Sequence, residues 1–224
     1  MAEQGETCRI LVMASGNGSN FQALIDGVAS GSIPNSRITR LIVNRAKAYA
    51  TTRAEQASIP WEYFNLISNG FLAKGEKDEA KMVEARKKYD AALADKILHL
   101  EERPELIVLA GWMWVFSSDF LRPLEAAGIK VINLHPALPG QFDGAHAIER
   151  AYEDLKAGRI THTGIMVHYV IQEVDRGDPI LIQEIGWEGE ELDALEAKIH
   201  AHEHELIVKA TAKVAGEIVE GRKK

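Results

Sequence analysis

Five short apolar runs, set between longer stretches of helical spacing, limit what this 224-residue chain can fold into. The runs are RILVMA from Arg9, RLIVN from Arg40, WEYFNL from Trp61, ELIVLAG from Glu105 and KVINL from Lys130. Each is rich in branched or aromatic residues, as strands buried on both faces are. Between them Phe21, Leu24, Ile25 and Val28 follow i, i+3, i+4, i+7 spacing, and Met82, Tyr89, Leu93, Ile97 and Leu100 form one long stripe. This alternation over residues 9–133 predicts an α/β fold with a doubly wound, mostly parallel sheet. Beyond residue 145 the rhythm changes to a helix over 145–157, two runs (TGIMVHYVI and DPILIQEIGW) around the turn QEVDRG, and a last helix from about Glu191. The paired runs predict an antiparallel C-terminal addition to the sheet. No internal repeat or low-complexity linker interrupts the chain, so one domain over 1–224 is expected, ending in a frayed GRKK tail.

A net charge of −7 argues against a chain whose main partner is nucleic acid or an anionic membrane, because such footprints are basic. The single cysteine, Cys8, cannot form an internal disulfide, which suits a reducing compartment. No apolar run approaches the roughly 18–20 residues of a membrane span. The polar MAEQGET start lacks the basic and apolar regions of a signal peptide, and a cytoplasmic protein is expected.

The segment Gly16-Asn17-Gly18-Ser19-Asn20-Phe21 follows the first strand and opens a helix, so backbone N–H groups and the helix dipole face whatever lies above the sheet. A dinucleotide fingerprint needs a third glycine where Phe21 stands and an acidic residue at the end of the second strand, which instead reads Val43-Asn44-Arg45. The loop therefore suits a monophosphate better than NAD. Taken alone it also fits a plain strand-to-helix turn with Ser19 as N-cap.

In VINLHPALPGQFDG, Asn133 and His135 stand two apart at the end of the fifth strand and face the same side, while Pro136 and Pro139 stiffen the loop that follows. An amide and an imidazole there suit acyl transfer: Asn133 can donate to a developing oxyanion, and His135 can move a proton or, as a cation, steady that oxyanion. With no G-x-S-x-G elbow and Cys8 far away in sequence, direct attack by an amine substrate is favoured over a covalent acyl-enzyme. A capping or core histidine is the bland alternative. Asp175, in the turn EVDRGDP, can orient His135 or raise its pKa, or can be a solvated turn former; His168, on the preceding strand, is a supporting candidate and equally a satisfied sheet histidine.

The last helix carries KIHAHEHELIV, where His200 and His204 share a face, but the spacing is not H-E-x-x-H and no third ligand is marked, so no metal is expected. Glu203 lies four residues from both Ile199 and Ile207, on an apolar flank, and needs a polar partner there: a ligand hydroxyl or a basic side chain.

Taken in order, SGNGSN, LAGWM, NLHPALPG, HYVIQEVDRGDPI and HEHE resemble the phosphoribosylglycinamide formyltransferase family in its single-function form, over most of the chain. The loop HPALPGQFDG, in place of the HPSLLPKYPG of many bacterial members, is similar to the fungal branch, and Trp114 replaces a basic residue common in bacteria. The resemblance implies the formyltransferase fold, with a Rossmann-like nucleotide-binding half over 9–133 and a half over 134–220 carrying the folate site and C-terminal helix. It further implies formyl transfer from the cosubstrate 10-formyltetrahydrofolate to the amine of glycinamide ribonucleotide in purine synthesis, by a monomer or homodimer without metal.

By the same resemblance Asn133, His135 and Asp175 are catalytic. Gly18, Ser19 and Asn20 hold the substrate phosphate, Glu203 holds the ribose hydroxyls, and Pro136 lies on the substrate side. Folate is held by Met113, Trp114, Val115 and Phe116, by Ile171, Gln172, Glu173, Val174 and Asp175, and by Asn133 and His146. No residue is assigned to the folate glutamate tail, although Lys74 and Lys77 are nearby in sequence. The alternatives are a related folate enzyme with another acceptor and a non-catalytic sugar-phosphate-binding module.

Overall fold

The computed structural model describes residues 7–222; most of the MAEQGET start and the last two residues of GRKK lie outside them. Its strands are β1 (Cys8–Ala14), β2 (Ser36–Val43), β3 (Trp61–Tyr63), β4 (Leu106–Leu109), β5 (Lys130–His135), β6 (His162–Tyr169) and β7 (Pro179–Gly186). Its helices are α1 (Ser19–Ala29), α2 (Ala50–Gln56), α3 (Glu79–Leu98), α4 (Ser118–Ala126), α5 (Ala147–Lys156) and α6 (Leu192–Gly221). One seven-stranded sheet runs in the order β3-β2-β1-β4-β5-β6-β7. Pairing is parallel from β3 to β5 and antiparallel for β6 and β7.

The period-two alternation of the strands assigns the two faces. Ile10, Val12 and Ala14 of β1, with Leu106 and Val108 of β4, join the core covered by α1, α5 and α6. Leu11, Met13, Ile107 and Leu109 join the other core, covered by Tyr89, Leu93 and Ile97 of α3 and Phe120 and Leu124 of α4. In β5, Ile132 and Leu134 belong to the first face and Val131 to the second. Asn133 and His135 therefore project on the α3/α4 side at the carboxyl end of β5. The chain winds outward from β1 to β3 and returns to β4, so a topological switch lies between β1 and β4, where open α/β sheets bind ligands.

Some boundaries differ from expectation for local reasons. WEYFNL gives only the three-residue β3, because the Asn65 side chain accepts the N–H groups of Ile67 (2.9 Å) and Ser68 (3.2 Å) and bends the chain out of the sheet. The stripe on α3 buries Tyr89, Leu93 and Ile97, but Met82 is only partly covered and Leu100 lies past the helix end. The tail is tied as far as Arg222, whose guanidinium donates to Glu105 at 2.5 Å. No helix among the described residues is long and apolar enough to cross a membrane.

Candidate active site

The loop after β1 reaches helix α1 through Gly18, whose φ of 76° and ψ of 30° place it in the left-handed region. Its carbonyl accepts the Gln22 N–H at 2.9 Å, so Gly18 and not Ser19 is the cap residue, and Ser19 is already in the helix. A side chain cannot replace it, because a Cβ there would lie 2.7 Å from the Ala50 Cβ. The first turn of α1 has no acidic residue, which leaves its positive dipole end uncompensated. Ser15 locks this loop to the one after β4: its Oγ accepts the Met113 N–H at 2.8 Å and its N–H donates to the Gly111 carbonyl at 3.0 Å.

Glu203 of α6 is 7% exposed, and the partner that reaches it is an amide: Asn20 Nδ2 donates to its Oε2 at 3.1 Å. Burial holds the Glu203 carboxyl above the usual carboxylate range, offset in part by that hydrogen bond and by the nearby His200. Asn20 Oδ1 is buried and has no hydrogen-bond partner among the described residues, an orphan acceptor of the kind a ligand satisfies.

At the end of β5 three predicted residues meet, with Asp175 at the centre. Its Oδ2 accepts the Gly144 N–H at 2.8 Å and lies 3.4 Å from His135 Nδ1. Its Oδ1 lies 3.4 Å from both Asn133 Nδ2 and His168 Nε2. His168 Nδ1 faces the Tyr169 carbonyl at 2.9 Å, which can only accept, so that nitrogen carries the proton. Nε2 faces both the Asp175 carboxylate and, 3.3 Å away, the Asn133 amide nitrogen. Both contacts of that amide are long, so it can turn an N–H toward the open cleft at small cost.

His135 is nearly buried, and each ring nitrogen faces an oxygen that only accepts: Asp175 Oδ2 and, at 3.4 Å, the Gln141 carbonyl. Both contacts are satisfied together only by the imidazolium. Even so, burial holds the His135 pKa below its ordinary value, outweighing the upward pull of Asp175. The expectation that Asp175 raises it names a real effect that desolvation overrides. For Asp175, burial pushes upward, but His168, the Gly144 N–H and His135 together hold it below the usual range.

The loop after β4 forms the opposite wall. Met113 and Val115 are largely exposed, while Trp112, Phe116 and Phe120 stack inward. Buried Asp90 of α3 pins this loop by accepting Trp114 Nε1 at 2.9 Å and the Ser117 N–H at 2.7 Å. The Arg86 guanidinium lies 4.9 Å over the Trp114 ring.

These parts enclose a cleft of about 730 Å³. Gly18, Ser19, Asn20, Glu203, Asn133, His135, Pro136 and Asp175 line it, as do Met113 to Phe116, His146, Ile171, Gln172 and Val174. Glu173 does not; it is exposed in the bend between Gln172 and Val174. Lys74 and Lys77 are also absent from the lining. Arg86, His168 and His200 join it, and of these only His168 is marked for this site by its place in the sequence. Among the described residues no group of three or more His, Cys, Asp or Glu side chains is placed to hold a metal ion.

The formyl transferase family model matches residues 8–211. A phosphoribosylglycinamide formyltransferase of Schizosaccharomyces pombe is 47% identical over 203 residues, covering 90% of this chain and 94% of that protein. A protein of the same name from Saccharomyces cerevisiae is 41% identical over 213 residues, covering 92% and 96%. The crystal structure of glycinamide ribonucleotide transformylase 1 from Symbiobacterium toebii matches with a TM-score of 0.77 at 28% identity, covering 97% of this chain and 92% of that one.

Proposed function

The chain belongs to the formyl transferase family, and from that premise we propose that it transfers a formyl group from 10-formyltetrahydrofolate to the amine of glycinamide ribonucleotide. One observation carries the proposal: Asn133, His135 and Asp175 converge at the end of β5, in the same cleft as the glycine loop. The acceptor phosphate sits on Gly18, Ser19 and Asn20, where backbone donors and the α1 dipole meet. Its ribose hydroxyls reach Glu203, and Pro136 borders the acceptor side. The folate ring lies between the Met113–Phe116 loop and the turn of Ile171, Gln172, Val174 and Asp175, with His146 on its outer side.

The amine attacks the formyl carbon, forming the new C–N bond and placing negative charge on the formyl oxygen. An Asn133 N–H and the His135 imidazole stabilise that charge. His135, whose pKa burial holds down, takes the proton that the amine nitrogen loses and as the imidazolium faces the oxyanion, with Asp175 steadying the cation until that proton is passed on. The carbon–nitrogen bond to folate then breaks, and the proton lost by the amine passes, through water held near Asp175, to the departing folate nitrogen.

Among the described residues Arg86 is the one arginine or lysine lining the cleft, and we assign it to the carboxylates of the folate tail. Arg86→Ala is expected to raise the KM for 10-formyltetrahydrofolate about five- to tenfold with kcat little changed, the mark of a binding contact shared by ground and transition states. Initial rates at varied donor concentration check this.

The function itself is tested by mixing purified protein with glycinamide ribonucleotide and 10-formyltetrahydrofolate and following tetrahydrofolate release. Release that requires the acceptor is expected. Release without acceptor would mean water is the acceptor, and no release beside an active control enzyme would leave only a sugar-phosphate-binding module.

A further inference from the structure

We infer that Arg53, a residue of α2 outside the cleft, is a positioning residue that shapes the glycine loop into a phosphate receptor. The inference rests on the acceptor site proposed above. Two consecutive peptides of that loop have their carbonyls held from behind by α2. The Gly16 carbonyl accepts the Ala50 N–H at 3.2 Å, and the Asn17 carbonyl accepts from Arg53 Nε at 3.0 Å. A trans peptide points its N–H opposite to its C=O, so the N–H groups of Asn17 and Gly18 are turned the other way. On that side Gly16, Asn17 and Gly18 line the cleft. The left-handed Gly18 then leads directly into α1, whose first N–H groups have no intrahelical partner. The result is a run of backbone donors converging on one point, as in the concavities that bind phosphate elsewhere.

Arg53 fixes this arrangement with more than one contact. Its Nη2 donates to Asn17 Oδ1 at 2.9 Å and its Nη1 to Gln22 Oε1 at 3.2 Å, so a single planar fork spans the loop and the first turn of α1. All three acceptors are neutral, and the guanidinium charge is left to add a positive field behind the loop. The Tyr49 ring, 5.1 Å from the guanidinium carbon, supports the side chain from beneath. Arg53 lines a separate groove between α1 and α6 and not the cleft, so it acts through the loop and not by touching the acceptor.

The test compares glycinamide ribonucleotide with glycinamide riboside, the same acceptor without phosphate, in the unaltered protein, Arg53→Met and Arg53→Lys. Arg53→Met is expected to raise the KM for the ribonucleotide about tenfold or more, while kcat, the KM for 10-formyltetrahydrofolate and the kcat/KM for the riboside stay unchanged. Arg53→Lys restores the charge but not the fork, and is expected to recover only part of the loss. Full recovery by lysine would show that charge alone suffices and would overturn the positioning role. Equal losses for ribonucleotide and riboside would overturn it as well, because the effect would then bypass the phosphate. If Arg53→Met does not fold, as judged by thermal melting, the lysine variant carries the same comparison. An unaltered protein that turns over neither acceptor would instead overturn the functional proposal, and this inference with it.

Discussion

Replacing Asn133 or His135 with alanine is expected to lower kcat about 10²-fold or more with both substrates saturating, while the KM values change little. The expectation follows from what each group does only in the transition state. The formyl oxygen is neutral in the ground state and gains charge when the amine attacks, so a donor waiting for that charge contributes to the rate and not to ground-state binding. Asn133 is held for this by two long contacts it can release, and His135 by a buried site in which its cation is disfavoured until the charge appears. Truncating both residues should cost far less than the product of the single losses, because they serve one developing charge. Rates for the two single variants and the double variant, with melting curves as a control for folding, check the prediction. A variant of either residue that keeps near-normal kcat would remove that residue from the chemistry.

The second large effect is expected at a glycine that touches no substrate. A Cβ on Gly177 would lie 1.7 Å from the Tyr169 carbonyl oxygen, closer than any non-bonded pair can approach. Gly177→Ala must therefore push apart the two chains where the Tyr169 N–H donates to the Asp178 carbonyl at 3.1 Å, and that bond closes the turn carrying Asp175. Asp175 already sits at a φ of 55°, in the left-handed region, and is kept there by the Gly144 N–H and by its place against two imidazoles. Arg176 adds a strut from the same turn, its Nε donating to Asp143 at 2.7 Å. The expected loss of stability is about 3 kcal/mol, which is a fall in Tm of about 6–12 °C for a domain of this size. The surviving folded protein should also lose about 10²-fold in kcat, because a shift of about 1 Å in a catalytic group costs that much. Calorimetry and steady-state rates on one preparation measure both. An alanine variant with normal Tm and kcat would mean that the turn yields freely and that the position of Asp175 does not matter.

The order and burial of the strands were legible because parallel strands covered on both sides leave continuous apolar runs that no other element produces at that length. The pairing of Asn133 with His135 was legible for a similarly local reason, the period of two along β5. Glu203 announced itself as a carboxylate on an apolar flank, yet its partner was not foreseeable, since Asn20 reaches it from the other end of the chain. Arg53 and Arg86 were invisible for the same reason. Each lies on a helix with ordinary surface spacing, and its importance arises only from the loop that packs against it in space. In the contiguous run Ile171 to Asp175 every residue but Glu173 lines the cleft, a distinction that the letters of the run do not carry. The direction of the His135 shift was also beyond sequence. The charge of Asp175 can be inferred from letters alone, whereas the depth of burial that outweighs it is a property of the closed fold.

The hydrogen bond between Asn20 and Glu203 joins positions 183 residues apart. At about 5–20 residues per second of synthesis, the ribosome needs roughly 10–40 seconds to make the chain between them. For that interval the glycine loop can exist as a turn but not as half of a pocket, because its partner helix has not been made. The pocket half that holds Asn20 is therefore completed only with α6, the same helix that covers one face of the sheet, so closing the site and closing that core are one event.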